Sequence, residues 1–189
     1  MGLKKSRVVG GRRHIEPCSS SVLTPLSPRL ELLSLYSVYI NQCCRTMAWD
    51  GYITNLMAGT PPFVEEAAIC GSEAGKESVW AATPGGQLAG VTAAEIKAMM
   101  SLDRSPLFAS GLHLSGNKCT VLRDNLHTDG DHTLDVKMRP TATDTNSYSI
   151  TIAKSAQTLI IVKGMKDIPG GKINIKASDM MQYLRKSGF

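Results

Sequence analysis

The sequence predicts an α+β fold, on three observations. Apolar residues recur at helical spacing near residue 50 and again near residue 180. Between these stretches lie short apolar runs separated by Gly, Asn and Asp turn signals, the pattern of strands that adjoin their sequence neighbours. Helices at both ends of such a run of strands mean an α+β arrangement, and no internal repeat is present.

In chain order, Trp49, Tyr52, Ile53, Leu56 and Met57 predict a helix over 48–58, ending before Gly59 and Pro61-Pro62. Ala67–Gly71 and Ser78–Thr83 read as buried strands joined by a turn at Gly75-Lys76. Thr92 and Glu95 have capping-box spacing, in which hydroxyl and carboxylate satisfy each other's backbone donors, and open a helix to about Ser101. Strands are expected at 106–109 and 111–115, then through Gly116-Asn117 at 118–125. Asp129-Gly130 predicts a hairpin into 132–139. Tyr148–Lys154 and Thr158–Lys163 complete the meander. Gly170-Gly171 precedes a last helix, about 172–186, with Ile173, Ala177, Met180 and Leu184 on one face.

Composition narrows the function classes. The 189 residues are 42% hydrophobic and 20% charged, enough for one well-buried domain and unlike a collagenous or wholly disordered chain. No apolar run reaches the roughly 20 residues of a membrane-spanning helix. Residues 1–46 hold seven Lys/Arg against two Asp/Glu, whereas 47–189 hold fourteen of each. The net charge of +5 therefore belongs to the N-terminal segment and does not argue for nucleic-acid binding. Five cysteines without framework spacing point to reduced thiols and a cytosolic protein.

Residues 1–46 read as an appendage: basic at the start, interrupted by Pro25 and Pro28, with an apolar patch over 30–40. Met1-Gly2-Leu3-Lys4-Lys5-Ser6 fits an N-myristoylation pattern. The prolines, Glu16 and Glu31 weaken a mitochondrial presequence, and a secretory signal would need its apolar region sooner. The remaining readings are a disordered leader or an upstream start preceding Met47.

Catalytic and metal chemistry is not legible. His113, His127 and His132 are scattered, and no Gly-x-Ser-x-Gly elbow occurs. Residues 71–77 mimic a phosphate loop but are one residue short and carry Glu77 where a hydroxyl would meet magnesium. Gly170-Gly171-Lys172-Ile173 lacks that hydroxyl too, and no Cys/His pair has zinc spacing. The expectation is a non-enzymatic protein with no cofactor.

The aromatic residues carry more information. Trp49 and Tyr52 lie one helical turn apart, and Tyr183 and Phe189 lie at the other end of the chain, so docked terminal helices would bring them together. The run Met47-Ala48-Trp49-Asp50-Gly51-Tyr52-Ile53-Thr54-Asn55-Leu56-Met57 closely resembles the opening of an animal profilin. Residues 78–82, 118–124 and 183–189 resemble three further profilin blocks, in order and at the right spacing. The resemblance covers 47–189. It implies a profilin-like central antiparallel sheet, with N- and C-terminal helices packed on one face and short helices on the other.

Three partners are implied by that resemblance. Proline-rich segments of actin-assembly proteins would bind Trp49, Tyr52, Trp80, Tyr183 and Phe189, with Asn55 and Ser78 at the margin. Flat rings stack on preformed polyproline II, and indole N–H and phenol O–H groups donate to proline carbonyls. Truncating Trp49 to alanine is expected to abolish this binding while the fold survives. Monomeric actin would meet Phe108, Lys118, Arg123, Asp131, Lys137, Arg139, Ile168, Asn174 and Asp179. Pro169, Ile175 and Ser178 stand where the family commonly has histidine, lysine and a large aromatic, and Ala109 is smaller than the usual valine. Phosphoinositide headgroups would meet Lys137, Arg139, Arg185 and Lys186. The implied role is an actin-monomer-binding regulator of polymerisation, cytoplasmic and cytoskeleton-associated. The alternative is a proline-motif adaptor with weak or no actin binding.

Overall fold

The computed structural model describes residues 49–142 and 144–189. The expectations placed on the leader, from Gly2 lipidation to the patch over 30–40, lie outside the described residues. Seven strands form one antiparallel sheet: β1 (Val64–Gly71), β2 (Ser78–Ala82), β3 (Leu112–Leu114), β4 (Asn117–Asp124), β5 (Thr133–Met138), β6 (Ser149–Lys154) and β7 (Thr158–Gly164). Their spatial order is β2-β1-β7-β6-β5-β4-β3. Every neighbour in that order is also a sequence neighbour except β1 and β7, whose pairing from Val64↔Gly164 to Gly71↔Thr158 brings the two ends of the domain together.

Period-two alternation divides the core into two layers. On one face Ala68, Cys70, Leu134, Val136, Ile150, Ile152, Leu159 and Ile161 pack with α2 (Ala93–Met100), α3 (Ser105–Ser110) and the 3-10 turn Gln87–Gly90. On the other, Ala67, Ile69, Ala153, Ile160 and Val162 meet Ile53 and Leu56 of α1 (49–57) and Ile173, Ala177, Met181 and Leu184 of α4 (Gly170–Lys186). The terminal helices thus share one face and the short helices the other.

The capping box forms as the spacing predicts: Glu95 N donates to Thr92 Oγ1 at 3.3 Å, and Thr92 N to Glu95 Oε2 at 2.8 Å. The other carboxylate oxygen accepts from Gly116 N at 3.0 Å, tying α2 to the β3–β4 turn.

Three local expectations are corrected. Residues 106–109 are not a strand but part of α3. Pro106 sits in the first helical turn, where its missing N–H removes nothing, while Ser105 N donates to Asp103 Oδ1 at 3.0 Å. The β4–β5 connection is not a tight Asp129-Gly130 hairpin; it spans 125–132. Leu126 is drawn fully into the core, and Asp131 accepts from Asn125 Nδ2 at 2.5 Å and Thr133 Oγ1 at 2.8 Å. Gly170 and Gly171 belong to α4 itself, which Pro169 precedes as N-cap.

Candidate functional site

Five aromatic rings converge where α1, β2 and the end of α4 meet. Helical spacing puts Trp49 and Tyr52 side by side, with centroids 5.1 Å apart and planes at 40°. Trp49 also meets Trp80 at 5.2 Å and Phe189 at 5.0 Å, the latter edge-on at 81°. Tyr52 meets Tyr183 at 6.1 Å. Trp49, at the centre, is only 6% exposed, whereas Tyr183 is 56% and Phe189 37% exposed. Trp49 is therefore the keystone beneath the other rings, and its removal would disturb packing as well as binding.

Two backbone devices aim these rings, and neither is visible in periodicity. Along β2, Ala81 pairs with Ile69 and Val79 with Cys70, which leaves Trp80 as the extra residue of a β-bulge. Val79 and Ala82 then face one core layer while Trp80 and Ala81 both face the other. The indole lies flat over Gly71, where a Cβ would come within 2.7 Å of Trp80 Nε1. At the end of α4, Gly188 takes φ +88°. Its N–H reaches Arg185 O at 3.1 Å, and Phe189 N reaches Leu184 O at 2.9 Å, the paired bonds of a Schellman turn. Ala156 N, at 3.1 Å, and the Ser155 hydroxyl both donate to the Phe189 main-chain oxygen, which holds the ring against Trp49.

The Trp49 and Trp80 indole N–H groups and the Tyr52 and Tyr183 hydroxyls have no intramolecular partner among the described residues, and none is buried. The patch thus offers flat apolar faces and unused donors. Asn55 is exposed beside Tyr52 and Tyr183, and Ser78 is exposed at the start of β2.

Part of the second residue set forms a polar patch where β4 and β5 meet the first turns of α4. Its organiser is Asp135, which sequence reasoning missed. Asp135 accepts from Arg123 Nη2 at 2.8 Å, Asn174 Nδ2 at 3.0 Å and Thr151 Oγ1 at 2.7 Å. Only an antiparallel register placing Asp135 between Arg123 and Thr151 reveals that role. Asn174 also reaches Thr133, whose hydroxyl donates to Asp131, so Asp131 joins the same network. These hydrogen bonds from Asn125 and Thr133 hold the Asp131 carboxyl below the usual carboxylate range. Arg139 N donates to Lys118 O at 2.9 Å and Lys137 pairs with Thr120, which extends the patch along β4 and β5. Phe108 projects from α3 and is exposed. Ile168 is half-buried against the α1–α4 core layer. Asp179 does not join this network; it lines the groove beside Tyr52 and Tyr183.

The four cations assigned to phosphoinositides are not brought together. Lys137 pairs with Ser149, whose hydroxyl donates to Ile168 O just before α4, whereas Arg185 and Lys186 occupy its last turn. The helix between them has 17 residues, about 25 Å of rise. Among the described residues no cluster of His, Cys, Asp or Glu could hold a metal ion, and no helix is long and apolar enough to cross a membrane.

Comparison with known proteins agrees with this architecture. A profilin family model matches residues 47–189. Profilin-1 of Bos taurus is 40% identical over 142 residues, covering 75% of this chain and 98% of that protein. Profilin-2 of Rattus norvegicus is 39% identical over 141 residues, with the same coverage. The structure of mouse profilin IIa in complex with a double repeat from the FH1 domain of mDia1 superposes with a TM-score of 0.70 at 38% identity, over 75% of this chain and 99% of that one. Acanthamoeba castellanii profilin IA, at 23% identity and TM-score 0.55, shares the fold. Sheet order, helix placement and these matches together show that the chain belongs to the profilin family.

Proposed function

We propose that this chain is a non-enzymatic actin-monomer-binding protein that regulates polymerisation and links monomers to proline-rich ligands. One observation carries the proline half of the reading: five aromatic rings, joined by centroid distances of 5.0 to 6.1 Å, form one cluster in which a largely buried Trp49 supports the more exposed rings and their unpartnered hydroxyl and indole donors. Proline carbonyls have no neighbouring N–H to occupy them, so such a surface complements a polyproline II helix without ordering the ligand first. The related mouse protein captured with an FH1 repeat supports this assignment.

The network of Asp131, Asp135, Arg123 and Asn174, with Lys118, Lys137 and Arg139 alongside, is the proposed actin face. Bound monomer leaves the free pool by mass action, and a proline-rich partner held on the aromatic face can deliver it. Phosphoinositide sensitivity would rest on Lys137 and Arg139 separately from Arg185 and Lys186. The protein would work in the cytoplasm, associated with the cytoskeleton.

A second reading, an adaptor for proline motifs with little actin affinity, is favoured by Ile175. That side chain is 64% exposed beside Asn174, where the family resemblance implies a cation. Calorimetric titration of monomeric actin and of decaproline separates the two. Binding of both supports the full role; decaproline binding without actin binding leaves the adaptor; failure of decaproline to bind refutes the aromatic site.

A further inference from the structure

At the edge of the sheet opposite β2, a groove of about 400 Å³ opens between α2, α3 and β3. None of the residues assigned to proline, actin or phosphoinositides lines it. Ala94 and Ala98, one turn apart and exposed on α2, form one wall, and Pro106 and Leu107 of α3 form the other. The small side chains leave room between the two helices.

The rim of the groove is the free edge of β3. Lys118, opposite His113, turns its main chain toward β5, and its carbonyl accepts from Arg139 N at 2.9 Å. An antiparallel ladder bonds across only at alternate pairs, so the His113 N–H and C=O point the other way, off the sheet. No strand lies beyond β3, and neither group finds a partner among the described residues. Such an edge is a template for one more extended segment.

Chemistry narrows the occupant. A proline run is unsuited, because proline has no N–H for the His113 carbonyl. A second copy paired through β3 would bring nothing to fill the groove, since Leu112 and Leu114 are 2% and 0% exposed, buried in their own core. The lining includes the carboxylates of Glu95 and Asp103 and no Lys or Arg, which favours a cation on the incoming segment.

We infer that the groove between α2, α3 and β3 docks an extended segment of a partner protein that carries an apolar and a basic residue two positions apart. The segment adds to the seven-stranded sheet as a short eighth strand, one residue exchanging both main-chain hydrogen bonds with His113. The side chains before and after that residue both face the core side of the sheet. One is apolar and enters between Ala98 and Leu107; the other is Lys or Arg and meets Glu95. This site depends on neither the proline nor the actin face.

The test is an NMR titration of the full chain, followed at the His113 amide. The probes are the capped heptapeptides Ser-Thr-Leu-Thr-Lys-Thr-Ser and Ser-Thr-Lys-Thr-Leu-Thr-Ser, one for each strand direction. One of them should shift the His113 amide and bind with a dissociation constant below about 1 mM. N-methylation of its central threonine removes the donor to His113 and should weaken binding about tenfold. Replacing its lysine by glutamate should weaken binding as well. In the protein, Ala98→Phe fills the groove and should abolish binding, with the thermal midpoint unchanged because Ala98 is exposed. Failure of both peptides to bind would overturn the site, as would binding that ignores N-methylation, charge reversal or Ala98→Phe.

Discussion

Phe189 meets Trp49 edge-on, with centroids 5.0 Å apart and planes at 81°, across a sequence separation that spans the whole domain. The contact depends on the Gly188 turn and on the two donors from Ser155 and Ala156. It makes the aromatic face a joint between the first and last helices. The rings therefore divide into support and surface. Tyr183→Ala removes an exposed ring and should weaken decaproline about tenfold or more, with the thermal midpoint little changed. Trp49→Ala should instead cost about 3–5 kcal/mol of stability, read by urea denaturation, because it empties the centre of the cluster. Equal stability losses for the two variants would contradict this division.

Gly71→Ala should dislodge the Trp80 indole, whose Nε1 lies 2.7 Å from the required Cβ position. A cost of about 1–3 kcal/mol and a several-fold loss of decaproline affinity are expected. Both tryptophans of the chain lie in this patch, so intrinsic fluorescence reports on it directly. An unchanged emission spectrum would show that the indole does not move.

Asp135→Ala leaves Arg123, Asn174 and Thr151 without their shared acceptor. About 1–3 kcal/mol of stability should be lost. Actin affinity should fall further than for Lys118→Ala, which removes one exposed charge. Decaproline binding should survive both substitutions, and its loss would show that the faces are not independent.

Ile175→Lys combined with Ser178→Tyr restores the residue types that the family resemblance implies beside Asn174. Monomeric actin should bind about ten- to a hundredfold tighter, measured by titration. No gain would show that the departures on α4 are neutral.

Stability should decline on acidification. Burial alone would raise the Glu95 pKa, but hydrogen bonds from Thr92 and Gly116 outweigh it and hold the carboxyl below its ordinary range. Asp131 is held low by Asn125 and Thr133. Burial, with Lys154 and Arg104 nearby, holds His127 below the ordinary imidazole value. Each folded-state pKa is thus depressed, so the unfolded chain takes up protons first as the pH falls. The His127 contribution is complete above about pH 6.5 and the carboxylate contributions above about pH 4. Both are lost as pH falls through the folded values. Thermal midpoints recorded from pH 7.5 to 3.5 should decrease, with the lower part of the decline reduced in Asp131→Asn. A midpoint that rises over this range would contradict the assignment.

Much of the fold was legible because it is written locally. The periodicity of Trp49 to Met57 and of Ile173 to Leu184, the Thr92–Glu95 spacing and the turn at Gly116 each specify an element from residues a few positions apart. The apolar run at 107–109 misled, because hydrophobicity does not distinguish a strand from a short helix and Pro106 decided for the helix. The rings could be grouped from the sequence, but not their division into a buried support and an exposed surface.

The sequence by itself determined the α+β class, the terminal helices, most strands and the residues that resemble profilin's binding sets. Tertiary structure alone decided how those residues are used. The β2 bulge turned Trp80 toward Trp49, the β4–β5–β6 register made Asp135 the organiser of Arg123 and Asn174, and the length of α4 separated Lys137 from Lys186. It also placed Asp179 beside Tyr52. The physical reason is range: helix and turn preferences act over a few residues, whereas these placements follow from pairing β1 with β7 and docking α1 on α4, contacts between segments about a hundred residues apart.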